Sequence, residues 1–134
     1  MRRKPVNFLH PFVFAARTRG MGRGMFTREA LPRGVLLEIA PVIVMSGTER
    51  KLLDETLLHD YIFEWGEDQQ QCCMALGYVP LYNHSYQSNC EYEMDFKKEI
   101  ISIRSVRKIK AGEELFINYN GGWNNRTPVW FEVK

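Results

Sequence analysis

No stretch of this sequence approaches the roughly 18 consecutive apolar residues that a membrane-spanning helix needs. Cysteine is scarce as well: Cys72, Cys73 and Cys90 are the only three. An odd count argues against a disulfide framework. Cys72 and Cys73 are neighbours, and on a strand neighbours point to opposite faces, poorly placed to ligate one ion. No metal site is expected, and the three thiols read as buried, free and kept reduced. That places the chain inside the cell, in cytoplasm or nucleus. Internal repeats, low-complexity tracts and linkers are also missing. The N-terminus has the outline of a signal peptide, with Arg2-Arg3-Lys4 before an apolar stretch ending Phe14-Ala15-Ala16. Pro5, Asn7, His10 and Pro11 interrupt it, so neither a signal peptide nor a membrane anchor is expected.

What is present suits a single domain spanning residues 1–134. Its 134 residues, 45% hydrophobic, are enough for a core. Net charge is +2 but unevenly spread. Residues 1–34 hold eight basic groups (Arg2, Arg3, Lys4, Arg17, Arg19, Arg23, Arg28, Arg33) against Glu29. The remaining hundred hold ten basic and fifteen acidic residues, a net of −5. The basic end is either a solvated surface or an attraction for an anionic partner such as nucleic acid.

The pattern along the chain predicts many short strands and one helix. Phe12–Ala16 and Met25–Glu29 read as strands flanking a loop at Arg19–Gly24. Val35 to Val44 is nearly continuous apolar sequence, broken by Glu38 and by Pro41, which should bend the strand or hold it at an edge. Ser46 and Glu49 have the form of a capping box. Leu53, Leu57 and Tyr61 then share one helical face, which predicts a helix over 48–59. Tyr61–Trp65, Gln70–Leu76, Cys90–Phe96, Ile101–Val106 and Glu114–Tyr119 complete a mainly β domain.

Two polar segments do not read as packing material. Leu81-Tyr82-Asn83-His84-Ser85-Tyr86-Gln87-Ser88-Asn89 follows an apolar approach. Gly112-Glu113-Glu114-Leu115-Phe116-Ile117-Asn118-Tyr119 is a turn and a strand ending on Tyr. With Gly22-Arg23-Gly24 before them, these resemble, in order, the motifs of SET-domain lysine methyltransferases, over about residues 12–123. The resemblance implies several small curved sheets, a short helical insert and a C-terminal pseudoknot. It implies transfer of methyl groups from S-adenosylmethionine to a lysine ε-amine. Gly22, Arg23, Gly24 and Met25 would meet the cofactor through the main chain. Asn83 would fix its amino-acid end, and His84 its adenine through the backbone. Tyr119 would be catalytic. Tyr61, Ile117 and Trp123 would wall the lysine channel, and Trp123 or Trp130 would cover the adenine. Ser88 stands where the family commonly has Pro, which loosens that turn. Asn89 would bond the pseudoknot backbone. The chain has no cysteine-rich flanking segment and resembles the minimal members of the family.

Each motif alone has a plainer explanation: a β-turn at Gly22–Gly24, an Asx turn with a buried His at Asn83-His84, or a core Tyr ending a strand. Glu113 and Glu114, adjacent on a strand, should face apart as a turn residue and a surface residue. Two further readings stay open: a weakly active SET-fold module that holds lysine-bearing tails, and a basic nucleic-acid-binding domain. The family also implies that the residue two before the catalytic Tyr tunes product multiplicity. Ile117 stands there without a hydroxyl, so di- or trimethylation is expected. Glu49 to Asp68 holds seven acids against Arg50 and Lys51. An acidic wall of that kind selects a basic, histone-like or ribosomal-protein-like peptide.

Overall fold

The structure, a computed structural model, describes residues 2–119. Two sheets are built from ten strands: β1 (Phe8–Leu9), β2 (Val13–Arg17), β3 (Arg23–Thr27), β4 (Leu36–Met45), β5 (Phe63–Trp65), β6 (Gln71–Ala75), β7 (Asn83–His84), β8 (Cys90–Asp95), β9 (Ile100–Ser105) and β10 (Glu114–Ile117). The larger sheet runs β5-β6-β4-β9-β8, with β1 also on β4. The smaller runs β2-β3-β10-β7. Its last strand is therefore inserted between an early strand and a middle one, the described part of the expected pseudoknot.

The alternating pattern of β8 is realised as the sequence predicts. Cys90, Tyr92 and Met94 turn towards the core opposite Ser105, Ile103 and Ile101 of β9. Asp95 closes the hairpin by accepting from the Lys98 N–H at 2.9 Å. Pro41 is not at an edge. It lies mid-way along β4, where pairing with β9 ends and pairing with β6 begins. The missing N–H falls at that changeover, where the ladder is interrupted anyway.

The helix is shorter than the periodicity predicts. The capping box forms, with Ser46 Oγ accepting from Glu49 N at 3.1 Å and Glu49 Oε1 accepting from Ser46 N at 2.9 Å. Helix α1 then ends after Gly47–Leu53, and a separate 3₁₀ turn covers Leu57–Asp60. Thr56 causes the break. Its hydroxyl donates to Leu53 O at 2.7 Å and accepts from Leu58 N at 3.2 Å, closing one element and capping the next. Leu57, expected on a buried face, is 77% exposed.

The core joins both sheets through Met25, Leu37, Tyr82, Ile101, Leu115 and Ile117. All three cysteines are buried and free, and burial pushes the Cys73 thiol up to about 12. Glu38 is the unusual member, a carboxylate 2% exposed. Its oxygens accept from Tyr78 N at 2.8 Å and from the Tyr82 hydroxyl at 2.9 Å. No described helix is long and apolar enough to cross a membrane.

Burial raises the Glu38 carboxyl above its ordinary 4.5, outweighing the two hydrogen bonds that lower it. The folded chain thus holds this proton more tightly than the unfolded chain. That contribution to stability is lost as pH rises from the ordinary value through the raised one. Glu38→Gln does not titrate. The melting temperature of the wild type relative to this variant should fall as pH rises over that window and then level off. A difference that stays constant with pH would show that Glu38 does not hold the proton.

Candidate active site

The parallel pairing of β7 with β10 builds the site. Phe116 lies opposite Asn83, and Ile117 opposite His84. Two polar segments distant in sequence are thereby side by side. The pairing is locked by Ser85 N donating to Ile117 O at 3.0 Å. Asn89, 2% exposed, extends it: its Nδ2 donates to Glu114 O and its Oδ1 accepts from Phe116 N, both at 2.8 Å. This is the structural role the sequence suggests for Asn89.

The glycine segment divides differently from expectation. Gly22 is in the β2–β3 loop at φ 67°, a conformation that favours glycine. Thr18 ties that loop together, its backbone N–H donating to Gly22 O at 2.7 Å. Arg23 and Gly24 already belong to β3. A Cβ on Gly24 would stand 2.5 Å from Glu114 Oε2 and 2.9 Å from Asn83 Nδ2. A side chain there would displace the ends of Glu114, Asn83 and Thr18, so glycine matters for space rather than for backbone freedom. Met25 is fully buried, its side chain in the core.

Glu114 is not a surface residue. It is half-buried beside Asn83, whose Nδ2 donates to Glu114 Oε2 at 2.8 Å and to Arg23 O at 3.2 Å. Burial raises its carboxyl, with the Asn83 bond opposing. The alternation that turns Glu114 towards Asn83 leaves Glu113 in the preceding turn, 3.5 Å from Arg107.

Tyr119 closes the site. Its hydroxyl donates to Tyr82 O at 2.7 Å, and its backbone N–H donates to His84 Nδ1 at 3.1 Å. The His84 ring is therefore an acceptor at Nδ1, and burial lowers its pKa below 6.5, so it is neutral and holds Tyr119 in place. The Tyr119 phenol is pushed well above its ordinary 10, first by burial and then by neighbouring Tyr61 and Asp60. Tyr92 donates to Tyr119 O at 3.3 Å and stacks on Phe63 with centroids 5.4 Å apart.

A cavity of about 540 Å³ opens beside Tyr119, with Tyr61, Phe63 and Tyr92 in its wall. Of the expected channel residues, Tyr61 lines it, Ile117 is fully buried in the core, and Trp123 lies outside the described residues with Trp130. Asp54, Asp60 and Glu64 represent the acidic segment there. Glu64 pairs with Arg50 at 2.9 Å, and Asp54 with His59 at 3.0 Å. Among the described residues no cluster of three or more His, Cys, Asp or Glu could hold a metal. Sequence reasoning missed Tyr82 and Glu38 as supports of Tyr119. The lone carboxylate in the apolar run Val35–Val44 was the available signal.

A last strand inserted beside an Asn-His segment, with a terminal Tyr beside an aromatic cavity, defines a SET-type domain. The SET-domain family matches residues 22–120, and the chain belongs to it; protein-lysine methylation is the family's activity. Over 116 residues the chain is 34% identical to the Schizosaccharomyces pombe histone-lysine N-methyltransferase specific for H3 lysine-37, covering 86% of this chain and 74% of that protein. In structure it is similar to a Plasmodium falciparum protein described as a candidate histone methyltransferase, with TM-score 0.62, 22% identity, and coverage of 86% of this chain and 98% of that one. It is similar also to a humanized mutant of the Chaetomium thermophilum Polycomb Repressive Complex 2, with TM-score 0.66, 22% identity, and coverage of 80% of this chain and 14% of that one. At that identity the two structures speak to the fold alone.

Tyr119→Phe keeps the ring and removes the donor to Tyr82 O. Folding stability should fall by about 1 kcal/mol, the usual worth of one hydrogen bond. The check is the urea midpoint. An unchanged midpoint would mean that the hydroxyl contributes nothing to holding the ring.

Proposed function

We propose that the chain methylates a lysine in a basic, histone-like tail, using S-adenosylmethionine, and acts in the nucleus. What supports the reading is the β7–β10 pairing, which brings Asn83 and His84 beside the strand that leads to Tyr119, while Tyr119 itself lines an aromatic, partly acidic cavity. The residues beside Asn83 fit the cofactor. Gly22, exposed and at φ 67°, gives the β2–β3 loop a backbone that a ligand could approach closely. Asn83, its Nδ2 committed to Glu114 Oε2 and Arg23 O, keeps its Oδ1 for a ligand's amino group.

When bound, the cofactor supplies a sulfonium-activated methyl group. Asn83 would take its amino-acid end. Gly22, Arg23 and the main chain of His84 would take the rest. Met25 would support the loop from the core side.

Tyr119 would orient the reaction and exclude water. Its hydroxyl hydrogen is committed to Tyr82 O, so its oxygen lone pairs can accept weak C–H···O contacts from a methyl group. With the phenol pushed further above its ordinary value, Tyr119 is no general base. The lysine, with a reference pKa of about 10.4, must lose its proton another way. Desolvation among Tyr61, Phe63 and Tyr92 and repulsion by a nearby sulfonium both favour the neutral amine. Ile117, two before Tyr119, is packed in the core and does not line the cavity, so di- or trimethylation is proposed on the family resemblance of that position alone. Mass spectrometry of the product reads this directly. Strictly monomethylated product from the wild type would count against this.

The Schizosaccharomyces pombe relative, named for histone H3 lysine-37, makes histone H3 the first substrate to try. Asp54, Asp60 and Glu64 around the cavity would draw a basic peptide, in extended form, towards a strand edge.

The deciding experiment combines binding and transfer. Saturating S-adenosylhomocysteine should raise the melting temperature, by the equivalent of about 2.7 kcal/mol at a hundredfold excess over Kd. Asn83→Ala should remove most of that. No shift in the wild type would sink the cofactor assignment. Labelled methyl should reach histone peptides, and Tyr119→Phe should slow turnover about 100-fold or more, with the cofactor's thermal shift little changed. Near-normal turnover would return Tyr119 to a structural role.

Substrate choice has its own test. Peptides with one central lysine and either basic or acidic flanks should differ in rate. The basic series should weaken as salt rises, because exposed charges are screened over about 10 Å at 0.1 M. Equal rates, or no salt dependence, would rule out selection by the acidic rim.

A further inference from the structure

The Asn83–Glu114 pair is formed by three elements that meet at one point. Asn83 comes from β7, Glu114 from β10, and Gly24 of β3 leaves the space between them. Both partners of Asn83 Nδ2, the Glu114 carboxylate and the Arg23 carbonyl, are acceptors. The amide must therefore turn its NH₂ towards them and its Oδ1 away. None of the described hydrogen bonds ends on that Oδ1. An amide without such a partner could flip, and it would then offer a donor where an acceptor had been.

We infer that Glu114 is a positioning residue for cofactor binding: it fixes the Asn83 side chain so that Oδ1 faces the α-ammonium of the cofactor's amino-acid end. The inference rests on the cofactor reading of Asn83. Glu114 itself need not touch the ligand. Gly24 belongs to the same device, since a Cβ there would stand 2.5 Å from the Glu114 oxygen and 2.9 Å from the Asn83 nitrogen and crowd both. The second glycine of the Gly-x-Gly segment is thus a steric permission for a side-chain pair.

The device makes a ligand-specific demand. Only a ligand with an α-amino group depends on which way the amide points. S-adenosylhomocysteine has that group; 5′-methylthioadenosine keeps the adenosine and the thioether but has no amino-acid end. Both are titrated calorimetrically into the full chain. Glu114→Ala should weaken S-adenosylhomocysteine about tenfold or more, as expected for losing a hydrogen bond to a charged group, and leave 5′-methylthioadenosine unchanged. Glu114→Gln retains an oxygen that accepts from Asn83 Nδ2 and should bind close to the wild type. Gly24→Ala, which crowds the pair without deleting it, should reproduce the selective loss and guards against an alanine variant that folds poorly.

Equal weakening of both ligands by Glu114→Ala would show a merely structural carboxylate. A Gln variant as poor as the Ala variant would show that the charge, not the orientation, matters. Either result overturns the inference while leaving the cofactor reading intact. Failure of the wild type to bind either ligand would instead overturn that reading itself.

Discussion

Everything at the site depends on the last strand being held where it is, and the side chain of Asn89 does much of that holding. β7 offers β10 only two residues of backbone pairing. A two-residue ladder is weak, and a strand slip of one residue would turn Phe116 and Ile117 to opposite faces. Asn89 continues the ladder with an amide side chain that donates at one end and accepts at the other, as a peptide group does. Because it is almost wholly buried, leaving either β10 group without its partner would cost about 1–3 kcal/mol. The register of β10 is thereby fixed, and with it the positions of Glu114 and Tyr119.

A second line of support reaches Tyr119 from the opposite side. Glu38 on β4 binds the Tyr82 hydroxyl, and Tyr82 O accepts from the Tyr119 hydroxyl. Glu38 also accepts from Tyr78 N, so one carboxylate pins both ends of the short 3₁₀ turn Val79–Leu81 that leads into β7. A hydrocarbon at position 38 would suit the core better on burial grounds alone. What the carboxylate adds is direction. Two donors from the turn converge on it, and the turn presents its carbonyl to Tyr119 at a defined angle. The Tyr119 ring is then bracketed by Tyr82 O at its hydroxyl and His84 Nδ1 at its backbone N–H.

Much of this was legible in the residues and some was not, for physical reasons. The strands with strict alternation, such as Cys90–Asp95, declared themselves because one face is buried and one wet. The order of the three motifs named the family, although no periodicity could have supplied the insertion of β10. The helix failed at Thr56, where a side-chain hydroxyl satisfied the backbone locally and ended the α pattern despite well-spaced leucines. Glu114 was misread because adjacent strand residues do face apart, but the side that looked like solvent is occupied by Asn83. Pairings of this kind, Glu38 with Tyr82 or Asn83 with Glu114, join positions far apart in the chain; locally at most one partner stands out, as Glu38 does in its apolar run, and the other does not.

The charges around Tyr119 follow one logic. On the proposed reading two cations approach it, a sulfonium and a lysine side chain, from opposite sides. Left alone they would repel, and a lysine that stayed protonated could not react. On the lysine side the cavity carries Asp60, with Asp54 beside His59 and Glu64 on Arg50. At the meeting point the protein places no charge: Tyr119, Tyr92 and His84 are neutral, and burial keeps them so. On that reading, carboxylates at the cavity rim would attract the lysine over several ångströms, and an uncharged centre would give the ammonium no counter-ion once it arrives. Attraction without stabilisation at the end of the path lowers the cost of giving up the proton where the amine must be free. A carboxylate beside the Tyr119 hydroxyl would hold the lysine as a salt bridge and defeat that arrangement.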